Sequence, residues 1–149
     1  MRNNQPVSQH ERLFEPSQQL ISCTDLGGRI TYVNDDFVAL SGFTREELIG
    51  QPHNVIRHPD MPPAAFQQMW AKLKRGEPWL GVVKNRCKNG DHYWVLAYVT
   101  PILQDGQAVG YQSVRVLPQR DYIERAERLY ATLRDKAPTV TLRWQSQNR

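Results

Sequence analysis

Apolar and polar positions change period along this chain, and each change marks an element. Residues 1–19 are polar without clear periodicity and suit a flexible cap. The runs LISCTD (20–25) and RITYVN (29–34) are β-rich and flank Leu26, Gly27 and Gly28, which predicts a hairpin. Asn34 or Asp35 can cap a helix through about Leu40, and Gly42 can end it in the left-handed conformation. TREELIG (44–50) repeats this grammar: Thr44 with Glu47 three residues on is a capping box, and Gly50 stops the turn. Helices of one or two turns need tertiary support.

Pro62 and Pro63 open the next segment, where proline is tolerated because the first helical N–H groups are unpaired anyway. Phe66, Met69, Trp70 and Leu73 then recur at i, i+3, i+4 and i+7, the single stripe of an amphipathic helix closed by Gly76. After this the period becomes two. WLGVVKNRCKNGDHYWVLAYVTPI (79–102) reads as two strands about Asn89-Gly90, and QDGQ (104–107) turns the chain into AVGYQSVRV (108–116). Tyr122, Ile123, Ala126, Leu129, Tyr130 and Leu133 form an outgoing amphipathic helix over 119–135, after Pro118. Strands at both ends with short helices between them predict an α+β fold, an antiparallel sheet with its helices on one face.

Alternation assigns faces. Lys84 and Arg86 are expected in solvent, which turns Gly81, Val83, Asn85 and Cys87 inward. Tyr93, Val95, Ala97 and Val99 are inward on the next strand. On the last, Arg115 is expected outward, with Gln112 and Val114 inward. An inward amide without a partner costs about 1–3 kcal/mol, so Asn85 needs one: backbone, a buried water, or a ligand edge that matches its paired donor and acceptor. Gln112 would add a second amide. The outward residues Trp94, Leu96 and Tyr98 are apolar for a solvent face and are expected to dock a partner or the N-terminal cap.

Composition changes this picture little. The 149 residues are enough for one domain with a sizeable core, 40% hydrophobic and 23% charged. The net charge of +4 is spread rather than clustered, which disfavours nucleic-acid binding. Cys23 and Cys87 form no CxxC, and no leader or long apolar run is present, so a reducing cytoplasmic setting is expected. The last residues, TVTLRWQSQNR, have no obvious stopping point, so the chain is expected to be part of a longer protein.

The polar residues concentrate in HNVIRHPDMPPAAF (53–66). His53, His58 and Asp60, with His92, could ligate a metal, but the histidines are five apart and flanked by Pro52 and Pro59, unlike an i, i+4 helical site. Either histidine could hold haem iron. No serine or cysteine is presented beside them as an activated nucleophile, so an enzyme is not expected. As a plain connector, the segment would pair Arg57 with Asp60.

ITYVNDDFVALSGFTREELIGQP, NGDHYWVLAYVTPI and GYQSVRV, in that order, resemble a PAS domain across residues 20–117, with 1–19 as a cap and 118–149 as a linker helix and tail. The block from Gly50 to Trp94, above all RHPDMP and KNGDHYWV, is similar to PAS domains of Aer-type aerotaxis receptors, which bind FAD noncovalently. The resemblance implies a five-stranded sheet with Asn85 reading the polar edge of the flavin and Arg57 pairing with its phosphate-bearing side chain. It implies supporting roles for His58 and Asp60, and packing of Trp70 and Trp79 on the rings or as simple core. His53 stands where photochemical relatives carry their reactive cysteine, so a light-driven cysteinyl adduct is not expected. Tyr93 and Gln112 complete the expected site. The resemblance further implies a cytoplasmic redox sensor that relays to a chemotaxis signalling module. Its parent would be a homodimer held at the inner membrane by a part beyond this chain. A haem-based gas sensor and a cofactor-free interaction module remain the alternatives on the same fold.

Overall fold

In a computed structural model that describes residues 4–147, and side chains through residue 135, the chain builds one five-stranded antiparallel sheet. Its strands are β1 (Leu20–Asp25), β2 (Ile30–Val33), β3 (Trp79–Arg86), β4 (His92–Gln104) and β5 (Gln107–Val116), in the spatial order β2-β1-β5-β4-β3. Helices α1 (Asp35–Ser41) and α2 (Arg45–Leu48), a 3-10 turn (His53–Ile56) and α3 (Pro63–Lys74) fill the connection from β2 to β3. Helix α4 (Arg120–Gln147) follows β5 and runs past the predicted end at residue 135.

Local chemistry fixes the short helices. Asn34 caps α1 by accepting from the Phe37 N–H at 3.0 Å, and the same side chain ties β1 through Ile21 N and Gln19 O. Gly42 closes α1 at φ 77°, where a side chain would be strained. The Thr44–Glu47 capping box is present in both directions. Phe37, Leu48 and Ile56 then plug these turns into the core against Leu20, Ile30, Val33 and Val95, all nearly fully buried.

Register fixes the faces. Asn85 pairs with Tyr93, Val83 with Val95, Gly81 with Ala97 and Trp79 with Val99, giving the inner column predicted for β3 and β4. The column continues into β5 through Ala97–Arg115 and Val99–Ser113, and into β1 through Leu20–Arg115 and Ser22–Ser113. Arg115 therefore faces inward and Val114 outward, the reverse of the expectation. Alternation misleads here because the outer face is covered too, so Val114 and Val116 need no place in the inner core.

That cover also corrects the expectation of solvent for Lys84 and Arg86, which are 6% and 8% exposed. Arg86 donates to the Pro6 carbonyl at 3.0 Å from both Nε and Nη2. The N-terminal segment is pinned along the β3–β4 turn by Ser8 N to Gly90 O, His92 N to His10 O and Arg12 N to His92 O. Asp91 gathers Ser8 Oγ at 2.6 Å and Arg12 Nε at 3.1 Å. Helix α4 covers the rest: Tyr130 donates to the Val82 carbonyl and Arg134 to the Asp60 carbonyl, each at 2.5 Å. Trp94 is buried beside this helix, while Tyr98 remains exposed.

Candidate functional site

Between the inner face of the sheet and α3 lies a cavity of about 200 Å³. The α3 stripe supplies one wall through Phe66, Met69, Trp70 and Leu73. The opposite wall is Trp79, Val83, Asn85 and Val99 from β3 and β4, with Tyr111, Ser113 and Arg115 from β5. Ser22 and Thr24 of β1 and the segment His53–Arg57 close the remaining side. Phe66, Met69 and Trp70 are only half-buried because this stripe faces the cavity rather than filled core. The volume is below the ~300–1,000 Å³ of drug-sized ligand sites, so the cavity as it stands holds only a small or partly inserted molecule.

Several polar atoms on these walls lack partners among the described residues. Asn85 is 2% exposed and its Nδ2 meets no acceptor in hydrogen-bond geometry among the described residues, the equally unpartnered Tyr93 phenol beside it being close enough only for a weaker interaction. The same holds for Thr24 Oγ1, Asn54 Oδ1, Arg57 Nε and Arg115 Nη1, all on residues that line the cavity. Buried polar atoms are almost always paired, and leaving one unpaired costs about 1–3 kcal/mol. Several around one cavity make it the candidate site for a bound molecule that would supply the partners. Arg57 is positioned by a backbone bridge to Asn85 and by its guanidinium lying 4.0 Å from the centre of the Phe66 ring.

Charge on the walls has one sign. Among the described residues no aspartate or glutamate lines the cavity, whereas Arg57 and Arg115 both do. His53 hydrogen-bonds Ser22 Oγ through Nε2 at 3.0 Å, and burial, reinforced by Arg115 and Arg57, pushes its pKa down to about 3. It is a neutral ring at pH 7. Burial likewise raises the Tyr93 phenol above its ordinary range.

Of the residues expected at the site, His53, Arg57, Trp70, Trp79, Asn85 and Gln112 border this cavity. Gln112 pairs with Cys23 and Thr100 in the outer column, so it is not the expected second inward amide. The deep polar group from β5 is Arg115. Tyr93 is fully buried next to Asn85 in register but does not line the cavity. His58 and Asp60 also lie elsewhere, beneath α4. His58 Nδ1 accepts from Asp60 N at 3.0 Å and its ring meets His92 edge-on. Asp60 pairs with Lys84 at 2.9 Å, not with Arg57 as the connector reading had it. His53 sits on the cavity wall, and among the described residues no three metal-ligating side chains gather. Thr24, Asn54, Ser113 and Arg115 were missed. The signal for Arg115 was its register opposite Leu20 and Ala97, both apolar, which only the paired sheet displays.

A five-stranded antiparallel sheet of this order, with short helices enclosing a cavity on its inner face, is the architecture of a PAS-type domain, and the family match agrees: residues 30–115 fit the PAS fold, and the chain belongs to that family. It is 44% identical to the aerotaxis receptor of Escherichia coli (strain K12) over 94% of its own length, and spans 31% of that receptor. It is 32% identical to the nitrogen fixation regulatory protein of Klebsiella pneumoniae over 65% of this chain and 20% of that protein. A light-oxygen-voltage domain whose mechanism was probed with a flavin analogue superposes with a TM-score of 0.66 at 24% identity, covering 83% of this chain and 90% of that one. At that identity the likeness concerns the fold. No helix among the described residues is long and apolar enough to cross a membrane.

Proposed function

We propose that this chain is the FAD-binding sensor domain of an aerotaxis receptor, a redox sensor and not an enzyme. The observation that carries the reading is the unpartnered Asn85 amide, beside two carboxylate-free guanidinium groups, on an otherwise apolar cavity. These residues fit a flavin: Trp70, Trp79 and Met69 offer flat or polarisable contacts, Asn85 a carboxamide for the ring edge, and Arg57 a fork for phosphate. When bound, the flavin supplies a ring whose charge and hydrogen-bonding pattern change with its redox state.

The chain then reads that pattern. Asn85 and Arg57 are joined by a backbone bridge, and three residues after Arg57 the chain reaches Asp60, which holds Lys84 and α4. A preference of about 1–3 kcal/mol at the cavity biases such a link about five- to hundredfold. Helix α4 carries the bias to a chemotaxis signalling module in the rest of the receptor, a cytoplasmic homodimer anchored at the inner membrane through segments outside this chain.

The test is the visible spectrum of freshly purified protein, with the chromophore identified after denaturation. A two-banded flavin spectrum that releases FAD, lost or weakened at least tenfold in affinity by Asn85→Ala, supports the reading. A colourless protein that takes up no added flavin overturns it, and a Soret band would move the assignment to haem held by His53.

A further inference from the structure

Arg115 carries a problem that folding alone does not solve. Its side chain is buried, 7% exposed, at the inner face of β5. Nε donates to Ser113 Oγ at 2.8 Å, but Nη1 has no partner among the described residues. Among the described residues the titratable groups that interact with it are the Tyr93 phenol on β4 and His53 on the connecting segment, whose other charged neighbour is Arg57; none of them is an anion at pH 7. A buried cation without a counter-charge is among the costlier features a fold can hold. Burial without an anion draws even this guanidinium down to about 10. Its Coulomb attraction for a negative group a few ångströms away is correspondingly strong, because little water screens it.

From this cation on a carboxylate-free wall we infer that Arg115 sets the charge state of the bound ring, selecting the anionic, singly protonated reduced form over the neutral one. The inference rests on the flavin reading above and adds to it a residue and a direction. Two electrons from an external carrier, a reduced mediator dye in the test, enter with one proton from solvent. The second proton stays in water because the guanidinium already balances the charge it would have cancelled. Arg115 is thus a positioning and tuning group of the cavity floor, distinct in place from Arg57 over Phe66.

Redox titration of the FAD-loaded protein across pH 6–8, beside free FAD in the same buffers, tests this. The protein should follow the one-proton, two-electron slope to lower pH than free FAD does. Arg115→Gln, which keeps donors and removes charge, should lower the preference for the reduced form at least tenfold, about 30 mV downward for a two-electron couple, and steepen the slope. Arg115→Lys should restore most of both. A wild-type break in slope at or above that of free FAD overturns the inference without any variant, so a misfolded variant cannot shelter it. Unchanged potential and slope in Arg115→Gln, or equal losses in Gln and Lys, also overturn it while leaving flavin binding intact. A wild-type protein that binds no flavin overturns the underlying reading instead, and the inference with it.

Discussion

Gly81 has no room for a side chain, since a Cβ there would run into the indole of Trp79, folded back over its own strand. Gly81→Ala must therefore push that indole, 5% exposed, toward the cavity. The expected cost is about 1–3 kcal/mol of stability, the usual range for overpacking, together with weaker flavin uptake. Chemical denaturation and a binding titration measure the two, and unchanged values for both would show that the indole does not shape the cavity. Asn85 was legible at this scale because a lone amide in an apolar column has few explanations. Arg115 was not, because a charged side chain next to two valines reads as solvent-facing unless both faces of the sheet are known to be covered.

Among elements, the segment from Arg57 to Met61 has one end at the cavity and the other under α4. Arg57 bridges Asn85, Asp60 pairs with Lys84, and Arg134 reaches across to the Asp60 carbonyl. The sequence displayed the density of polar groups here without revealing their division between two sides of the sheet, since an irregular segment has no period to read. Arg134→Ala removes one tie between α4 and this segment. Amide exchange over residues 126–135 is expected to quicken severalfold, with flavin affinity changed by less than twofold. Equal loss in both would mean that α4 also supports the cavity itself. The helix starts were far easier to anticipate, because Asn34 and the Thr44–Glu47 box act within their own turn.

Over the whole molecule, buried histidines set the response to acid. Burial and the neighbouring guanidinium groups hold His53 at about 3, and burial with Lys84 holds His58 at about 4, against about 6.5 for a free imidazole. The fold prefers both rings neutral. The stability this confers is whole above pH ~6.5 and drains as pH falls toward 4 and then 3. Asp91, held below the usual carboxylate range chiefly by Ser8, adds a loss in the same direction at still lower pH, and with it the grip on the N-terminal segment. Thermal unfolding should therefore shift to lower temperature from pH 7 to pH 4, and His58→Gln should flatten part of that decline. A flat wild-type profile would count against the burial of both rings. The sheet class was readable from the change of period along the chain. A cover over its outer face was anticipated from Trp94, Leu96 and Tyr98, with the N-terminal segment as one candidate; the strand order and the part α4 takes in that cover were not, since the stripe of α4 does not announce what it packs upon.

The strand order carries one more consequence, for the time at which the cavity comes into being. β1 pairs with β5, so residues 20–25 leave the ribosome long before their partner at 110–115 exists. Only a late, long-range closure brings Ser22 and Thr24 against Ser113 and Arg115. Until then the growing chain has neither a floor for a ring nor the positive charge within it. Loading of a ligand is thereby a step that follows synthesis of the last strand.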